Sequence, residues 1–417
     1  MPTNRRSFLA SATLGGIAAA LPFSSHAAVS STDFSKLDEA MNRPVFKKEF
    51  FISPVIIDTI ELLRYKDSFL CRVRSKDGAT GMSVANSQQM KYLYPIFVNR
   101  IQPFFIGKDA RELESLLEEV YVYDSNYKLQ NLAFWDPLAT LEFAILDMMG
   151  RIVSKSIGQL IGDKIYHTSI AMYQANSERD ITAELTVRHL QEQLAGSNAK
   201  AIKFKLGGRM SHPEFPAKRS EQLIPLMRKT FGDDMVIAAD ANGSYDVKEA
   251  IRIGKIMEQY QYEFFEEPVP FDWYDETREV AKALKIPIAG GEQEPSLHNF
   301  RWLIGTDALK IVQQDQFYFG GMIRSMRVAR MAAVSGKLCA PHTTGDGFGY
   351  VYLAHFISAV PNAARFHEFK DLSKGLPFEC KTSSLKSENG IVKIPTGPGL
   401  GVDIDPEYVK KHVVIKE

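Results

Sequence analysis

The sequence predicts an α/β protein built around a parallel barrel, and three observations carry that expectation. After residue 165, short apolar strands alternate with helical stretches at intervals of roughly 25 to 35 residues, the signature of repeated βα units. Eight strands can be counted, and eight such units close more naturally as a barrel than as an open doubly wound sheet. Before residue 165 the texture is that of an α+β unit, and after residue 375 it is too rich in turn residues for a ninth repeat.

Residues 1–27 stand outside the fold. Asn4-Arg5-Arg6-Ser7-Phe8-Leu9 opens a basic head, an apolar stretch runs from Leu9 to Phe23, and Ser25-His26-Ala27 forms a small-residue cleavage site. The order resembles a twin-arginine export signal, the competing reading being an ordinary secretory signal. A periplasmic mature protein with no membrane span is the expectation.

Residues 28–165 form the expected cap. Ile56–Leu62 and Ser68–Arg74 are strand-like and joined by a short turn, with Asp77-Gly78 and Gly81 supplying further turn chemistry. Asp109–Val120 and Pro137–Arg151 have helical spacing, the second placing Leu138, Leu141, Ile145 and Met148 on one stripe that can cover the hairpin.

Residues 166–375 hold the eight strands: Ile170–Gln174, Ala201–Leu206, Met235–Asp240, Tyr262–Glu266, Ile286–Gly290, Ala308–Gln313, Lys337–Pro341 and Arg365–Phe369. Val247–Tyr260 and Met322–Val334 are among the helices between them. Residues 376–417, with Asn389-Gly390 and the Gly397–Gly401 run, are expected to return to the cap.

Composition removes several function classes. Fifty Lys plus Arg balance fifty Asp plus Glu, so there is no electrostatic footprint for nucleic acid. Cys71, Cys339 and Cys380 are too few and too scattered for a disulfide framework or a thiolate metal site.

Barrel enzymes place working groups at the C-terminal ends of strands. Asp240, Glu266 and Glu292 close the third, fourth and fifth strands, and three carboxylates converging on one point suit a hard divalent cation, Mg²⁺ fitting best. Singly, each acid is as well explained as a helix N-cap. Lys203 and Lys205, two apart in the second strand, face the same side, which must be the interior because Ile202, Phe204 and Leu206 flank them. Repulsion and desolvation within the pair are expected to lower a lysine pKa toward that of a working base, with the metal carboxylates pulling the other way. Asp307, just before the sixth strand, is expected to hold His342, just after the seventh, as a second acid/base. Glu368 ends the eighth strand, where a protonated carboxyl can face a developing oxyanion. Asn242 and Glu267, beside two of the metal acids, are the substrate-binding candidates.

The Lys-x-Lys pair, Asp-Ala-Asn, Glu-Glu-Pro, Gly-Gly-Glu, Asp307-Ala-Leu-Lys-Ile311 and Pro341-His342 together resemble the mandelate racemase subgroup of the enolase superfamily. Asp77–Gly81 and Leu146–Arg151 before the barrel, and Pro398–Val402 after it, extend the resemblance over nearly the whole mature chain. It implies a modified (β/α)7β barrel with an α+β cap, and one Mg²⁺ per site on Asp240, Glu266 and Glu292. It further implies Lys205 as base on one substrate face assisted by Lys203, His342 oriented by Asp307 on the other, and Glu368 at the enolate oxygen. The cap segment between Glu61 and Ser68 is shorter than the specificity loop of related enzymes, leaving Met82–Met90 as the cap loop expected to contribute to specificity.

The expected reaction is proton abstraction alpha to the carboxylate of an acid sugar, with loss of the β-hydroxyl to give a 2-keto-3-deoxy acid. The same residues would serve a racemase, an epimerase or a cycloisomerase. A non-catalytic carboxylate-binding sensor is the alternative of another class, disfavoured because a binder has no need of bases on both faces. The expected partners are the acid sugar and further copies of the chain.

Overall fold

The computed structural model describes residues 33–344, 346–369 and 387–416, and Phe34–Glu417 forms one compact unit. The expected export signal, Cys380 and the expected 375/376 boundary lie outside the described residues. Among the described residues no helix is long and apolar enough to cross a membrane.

The cap begins with an antiparallel meander of β1 (Ile57–Tyr65), β2 (Ser68–Ser75) and β3 (Thr80–Val84). The turn between β1 and β2 is Lys66-Asp67, with Lys66 at φ 54°. β3 was not expected, since Gly81 had been assigned to turn chemistry. Its backbone lies directly on the helix Leu132–Ile152: a Cβ at Gly81 would fall 2.2 Å from the Ala144 carbonyl oxygen and 2.3 Å from the Met148 nitrogen. Gly81 is therefore a close-approach glycine inside a strand.

That helix is buried on every side from Phe134 to Gly150 rather than along one stripe. Its buried acids are bonded across the seams. Glu142 accepts the N–H groups of Met322 (2.6 Å) and Ile323 (3.0 Å) at the start of the helix Met322–Val334, satisfying donors that this helix leaves without an internal partner. Asp147 accepts from Met82 (2.9 Å) and Leu400 (2.9 Å). One apolar core accordingly runs from the cap through this helix into the barrel helices Met322–Val334 and Asp346–Ser358.

The barrel strands are β4 (Ser169–Ala175), β5 (Ala201–Lys205), β6 (Val236–Asp240), β7 (Phe265–Glu266), β8 (Ile288–Gly290), β9 (Ile311–Val312), β10 (Leu338–Cys339) and β11 (His367–Phe369). Each expected strand is present, most of them shorter than the apolar run suggested. All pair in parallel in chain order, β11 returns to β4, and a Cys339–Ala363 bridge closes the ring. Seven helices fill the intervals, so the architecture is (β/α)7β. The interior carries small residues such as Ala201, Ala238, Ala289 and Ala340, while Ile202, Phe204 and Leu206 pack outward on the helices. Strand alternation thereby turns Lys203 and Lys205 inward.

In the tail, β12 (Ser387–Glu388) and β13 (Ile391–Lys393) form a hairpin through Asn389-Gly390, and β13 pairs antiparallel with β4. Further on, β14 (Val413–Val414) adds to the cap sheet beside β1. The tail thus binds both barrel and cap.

Gly81→Ala should destabilise the protein by about 1–3 kcal/mol, because its methyl group meets backbone rather than a flexible side chain. The denaturation midpoint measures this, and an unchanged midpoint would contradict the close approach.

Candidate active site

Strand register builds the site. Lys205 lies opposite Asp240 and Asp240 opposite Glu266 in adjacent parallel strands, which puts one ammonium and two carboxylates in a row at the strand ends. Glu292 reaches the same place through Gly291, whose φ of 105° few side chains tolerate and where a Cβ would fall 2.6 Å from the Phe300 ring. Ligand oxygens of Asp240, Glu266 and Glu292 all lie within 4.8 Å of one another, and all three residues are buried. An oxygen-only donor set of this charge and spacing fits a hard divalent cation.

The electrostatics follow from this crowding. Burial and the Asp240 carboxylate push Glu266 up to about 7, against the pull of Lys203 and Lys205. Asp240 is held well below the usual range: burial opposes its ionisation, but Lys205 and Lys203 outweigh it. Glu267 is buried beside them and raised well above an ordinary carboxylate by burial and by Glu292.

Lys203 Nζ donates to Glu266 Oε2 at 2.7 Å and Oε1 at 2.9 Å, and lies 3.8 Å from Glu368 Oε1. The expected lowering of a lysine pKa does not hold for this residue. Burial does favour its neutral form, yet Glu266 and Glu368 together raise its pKa well above the ordinary value. Lys203 is a fixed cation. Lys205 Nζ donates to Asp240 Oδ2.

On the other side, His342 Nδ1 is 2.8 Å from Asp315 Oδ2, and its Nε2 lies 3.3 Å from Glu292 Oε2 and 3.7 Å from Glu368 Oε2. A carboxylate accepts hydrogen bonds, so Nδ1–H donates to Asp315 while Nε2 is turned toward Glu292 and Glu368. Asp315 is itself immobilised, its Oδ1 accepting from the backbone of Phe317 (2.8 Å) and Tyr318 (3.0 Å) and from Thr344 Oγ1 (3.2 Å).

The expected Asp307–His342 pair is therefore corrected to Asp315–His342. Asp307 precedes β9, and in a parallel barrel the residue before a strand lies at the end opposite to the residue after its neighbour. It is 62% exposed there and pairs with Lys337 (2.7 Å) and Lys310 (2.9 Å), which hold its pKa down at about 2. The rule that working groups follow strands would have found Asp315, three residues past Val312.

Glu368 Oε2 accepts from the Thr343 backbone at 3.2 Å, placing this carboxylate between Lys203 and His342. Asn242 is bound into the cluster, its backbone donating to Asp240 Oδ1 at 2.7 Å and its Nδ2 lying 3.4 Å from Glu292 Oε1. Gln313, which the sequence reading passed over, donates to Glu266 Oε2 at 2.8 Å. The cap reaches the His342 side through Gln89, which is hydrogen-bonded with Tyr318, whose ring centre lies 6.4 Å from that of His342.

The family described as Enolase C-terminal domain-like matches residues 186–409. Among characterised relatives, an arabinonate dehydratase of Saccharolobus solfataricus is 25% identical over 346 residues, covering 80% of this chain and 87% of the relative. A D-galactarolactone cycloisomerase of Agrobacterium fabrum is 26% identical over 311 residues, covering 72% and 80%. In fold, the chain is similar to a mandelate racemase/muconate lactonizing protein from Paracoccus denitrificans complexed with magnesium. The TM-score is 0.78 at 24% identity, covering 87% of this chain and 99% of that one.

If the three acids hold a cation, millimolar Mg²⁺ should raise the thermal midpoint of the native protein by mass action, by a few degrees or more. Glu292→Gln should abolish most of that increase. An equal Mg²⁺ response in the variant would place the cation elsewhere.

Proposed function

We propose that the protein, which belongs to the mandelate racemase subgroup of the enolase superfamily, is a magnesium-dependent hydro-lyase that converts an acid sugar to its 2-keto-3-deoxy acid. The observation that carries this reading is the placement of two acid/base groups on different sides of one cation cluster. Lys205, on β5, is bound to Asp240, whereas His342 is bound to Asp315 and faces Glu292 from the end of β10, across the ring.

A proton alpha to a carboxylate is very weakly acidic, and bound Mg²⁺ would supply positive charge against the negative charge that builds on the carboxylate as the proton leaves. Asp240, Glu266 and Glu292 would hold it. In this reading Lys205 Nζ, as the neutral amine, takes the α-proton. Lys203, locked as a cation between Glu266 and Glu368, fixes positive charge beside the oxygen that becomes the enolate. Glu368 faces that same oxygen.

For the β-hydroxyl to leave as water it must gain a proton, which His342 in its protonated form supplies from the opposite side, with Asp315 stabilising the imidazolium. The enol so formed tautomerises to the 2-keto acid. The similarity to an arabinonate dehydratase supports dehydration of an acid sugar. The similarity to a galactarolactone cycloisomerase supports a second reading, in which the same residues serve a cycloisomerase. Export to the periplasm by the paired-arginine signal, and assembly of several copies, belong to the same proposal.

Incubation of the mature protein with Mg²⁺ and a panel of acid sugars should yield 2-keto acid, and epimer formed without keto acid would overturn the dehydratase reading. Asp315→Asn should lower the rate on the order of 100-fold or more, as loss of an imidazole-orienting carboxylate does. Asp307→Asn, at the far end of the barrel, should leave it within about two-fold, as expected for an exposed charge away from the chemistry. Equal losses would contradict the assignment of Asp315.

A further inference from the structure

The loop that carries Asp315 closes first on itself and then on the cap. Asp315 Oδ1 takes the N–H groups of Phe317 and Tyr318, and the Asp315 carbonyl takes that of Phe319 (2.9 Å). Gly320 donates to the Phe317 carbonyl (3.2 Å) and Gly321 to the Gln316 carbonyl (2.7 Å). The next two N–H groups, those of Met322 and Ile323, go to the Glu142 carboxylate. Every backbone donor from Phe317 to Ile323 thus has a partner, and among these partners Glu142 alone comes from outside the loop.

The sequence explains why the acceptor is so distant. A helix ordinarily caps its first N–H groups with a Ser, Thr, Asp or Asn placed just before it. The helix Met322–Val334 instead follows Gly320-Gly321, which stand at φ 89° and 110°. A Cβ at Gly321 would fall 2.1 Å from Glu142 Oε2, and one at Gly320 would fall 2.6 Å from the Trp135 ring. No capping side chain fits at the junction, so the acceptor comes from 180 residues earlier in the chain. Glu142 does the work of a local N-cap, and can do so only while the helix Leu132–Ile152 is docked on the barrel.

The apolar contacts of the same loop are of a different kind. Phe317 meets the Phe143 ring edge-on at 5.2 Å between centres and the Tyr352 ring at 5.5 Å. Apolar attraction is non-directional, so it presses the loop down without setting its register. Two hydrogen bonds to one carboxylate set both position and register.

We infer that Glu142 is a positioning residue for the second acid/base group: by capping the helix Met322–Val334 from the cap, it fixes the loop that presents Asp315 to His342. The role rests on the acid/base function proposed for His342, whereas the mechanical link rests on the hydrogen bonds alone. A shift at Gly321 passes through the Gln316 and Phe317 carbonyls to the N–H groups that hold the Asp315 carboxylate. A carboxylate displaced in this way no longer orients the imidazole.

Glu142→Gln keeps the shape of the side chain but turns an amide NH₂ toward one of the two donors. Hydrogen exchange of the native protein, resolved to single amides by fragmentation mass spectrometry, reads the effect without substrate. In the variant, Met322 and Ile323 should exchange about ten-fold or more faster, and Phe317 and Tyr318, which are bonded to Asp315, should follow by a similar factor. Acceleration confined to Met322 and Ile323, or none at all, would overturn the inference. Asp147→Asn is the control, since this acid sits on the same helix but bonds Met82 and Leu400. It should leave the same amides within about two-fold of wild type, as for an independent site, and an equal acceleration there would also overturn the inference. With an acid sugar that is turned over, Glu142→Gln should lower kcat about ten-fold, keep KM within about two-fold and retain the Mg²⁺-dependent rise in thermal midpoint. An unchanged kcat alongside accelerated loop amides would contradict the positioning role. Should the variant fail to fold, the wild-type protein decides: protection of Phe317 and Tyr318 should match that of Met322 and Ile323 within about three-fold, as in one cooperative unit, and a gap of about ten-fold or more would contradict it. A protein that turns over no acid sugar would contradict the hydro-lyase reading, and the exchange result, which needs no substrate, would still decide the link between Glu142 and Asp315.

Discussion

Three buried carboxylates whose oxygens lie within 4.8 Å of one another cannot all be ionised unless positive charge stands among them. The rest of the site is arranged around that constraint. Lys203 and Lys205 meet two of the acids from the β5 side, and His342 meets the third from the β10 side. Burial and the Asp240 carboxylate raise Glu266 to about 7 even with two lysines beside the cluster. A divalent cation would add the positive charge these acids call for, and its natural ligands are the oxygens already gathered there.

The scaffold explains how such an unfavourable cluster persists. Parallel register fixes the row Lys205, Asp240, Glu266 without any adjustable loop, so the repulsion is resisted by the barrel ladder itself. The fourth member, Glu292, depends on Gly291, where the chain turns against the Phe300 ring. Farther out, the buried helix Leu132–Ile152 is tied to the barrel through Glu142 and to the cap strand and the tail through Asp147.

Much of this was legible in the sequence because barrel strands announce themselves by short apolar runs at regular spacing, and because strand alternation alone turns Lys203 and Lys205 inward. The carboxylates were legible for the same reason: each closes a strand. What failed was pairing across the chain. Asp307 was matched to His342 by nearness to the sixth strand, although it stands before that strand, and direction along a parallel strand decides which end of the barrel a residue occupies. The charge state of Lys203 was misread as well, since two lysines seen alone in a sequence repel, while in three dimensions each has its own carboxylate. β3 was hidden by Gly81, a residue that reads as a turn and serves as a contact surface.

The central claim, that the three strand-end carboxylates jointly hold one divalent cation, is tested most directly by anomalous scattering from crystals of the protein grown with Mn²⁺, a cation that accepts the same oxygen ligands. A single peak bonded to oxygens of Asp240, Glu266 and Glu292, and lost on exchange into excess Mg²⁺, is the result predicted. A peak bonded to other residues, or none at this cluster in fully soaked crystals, would contradict it.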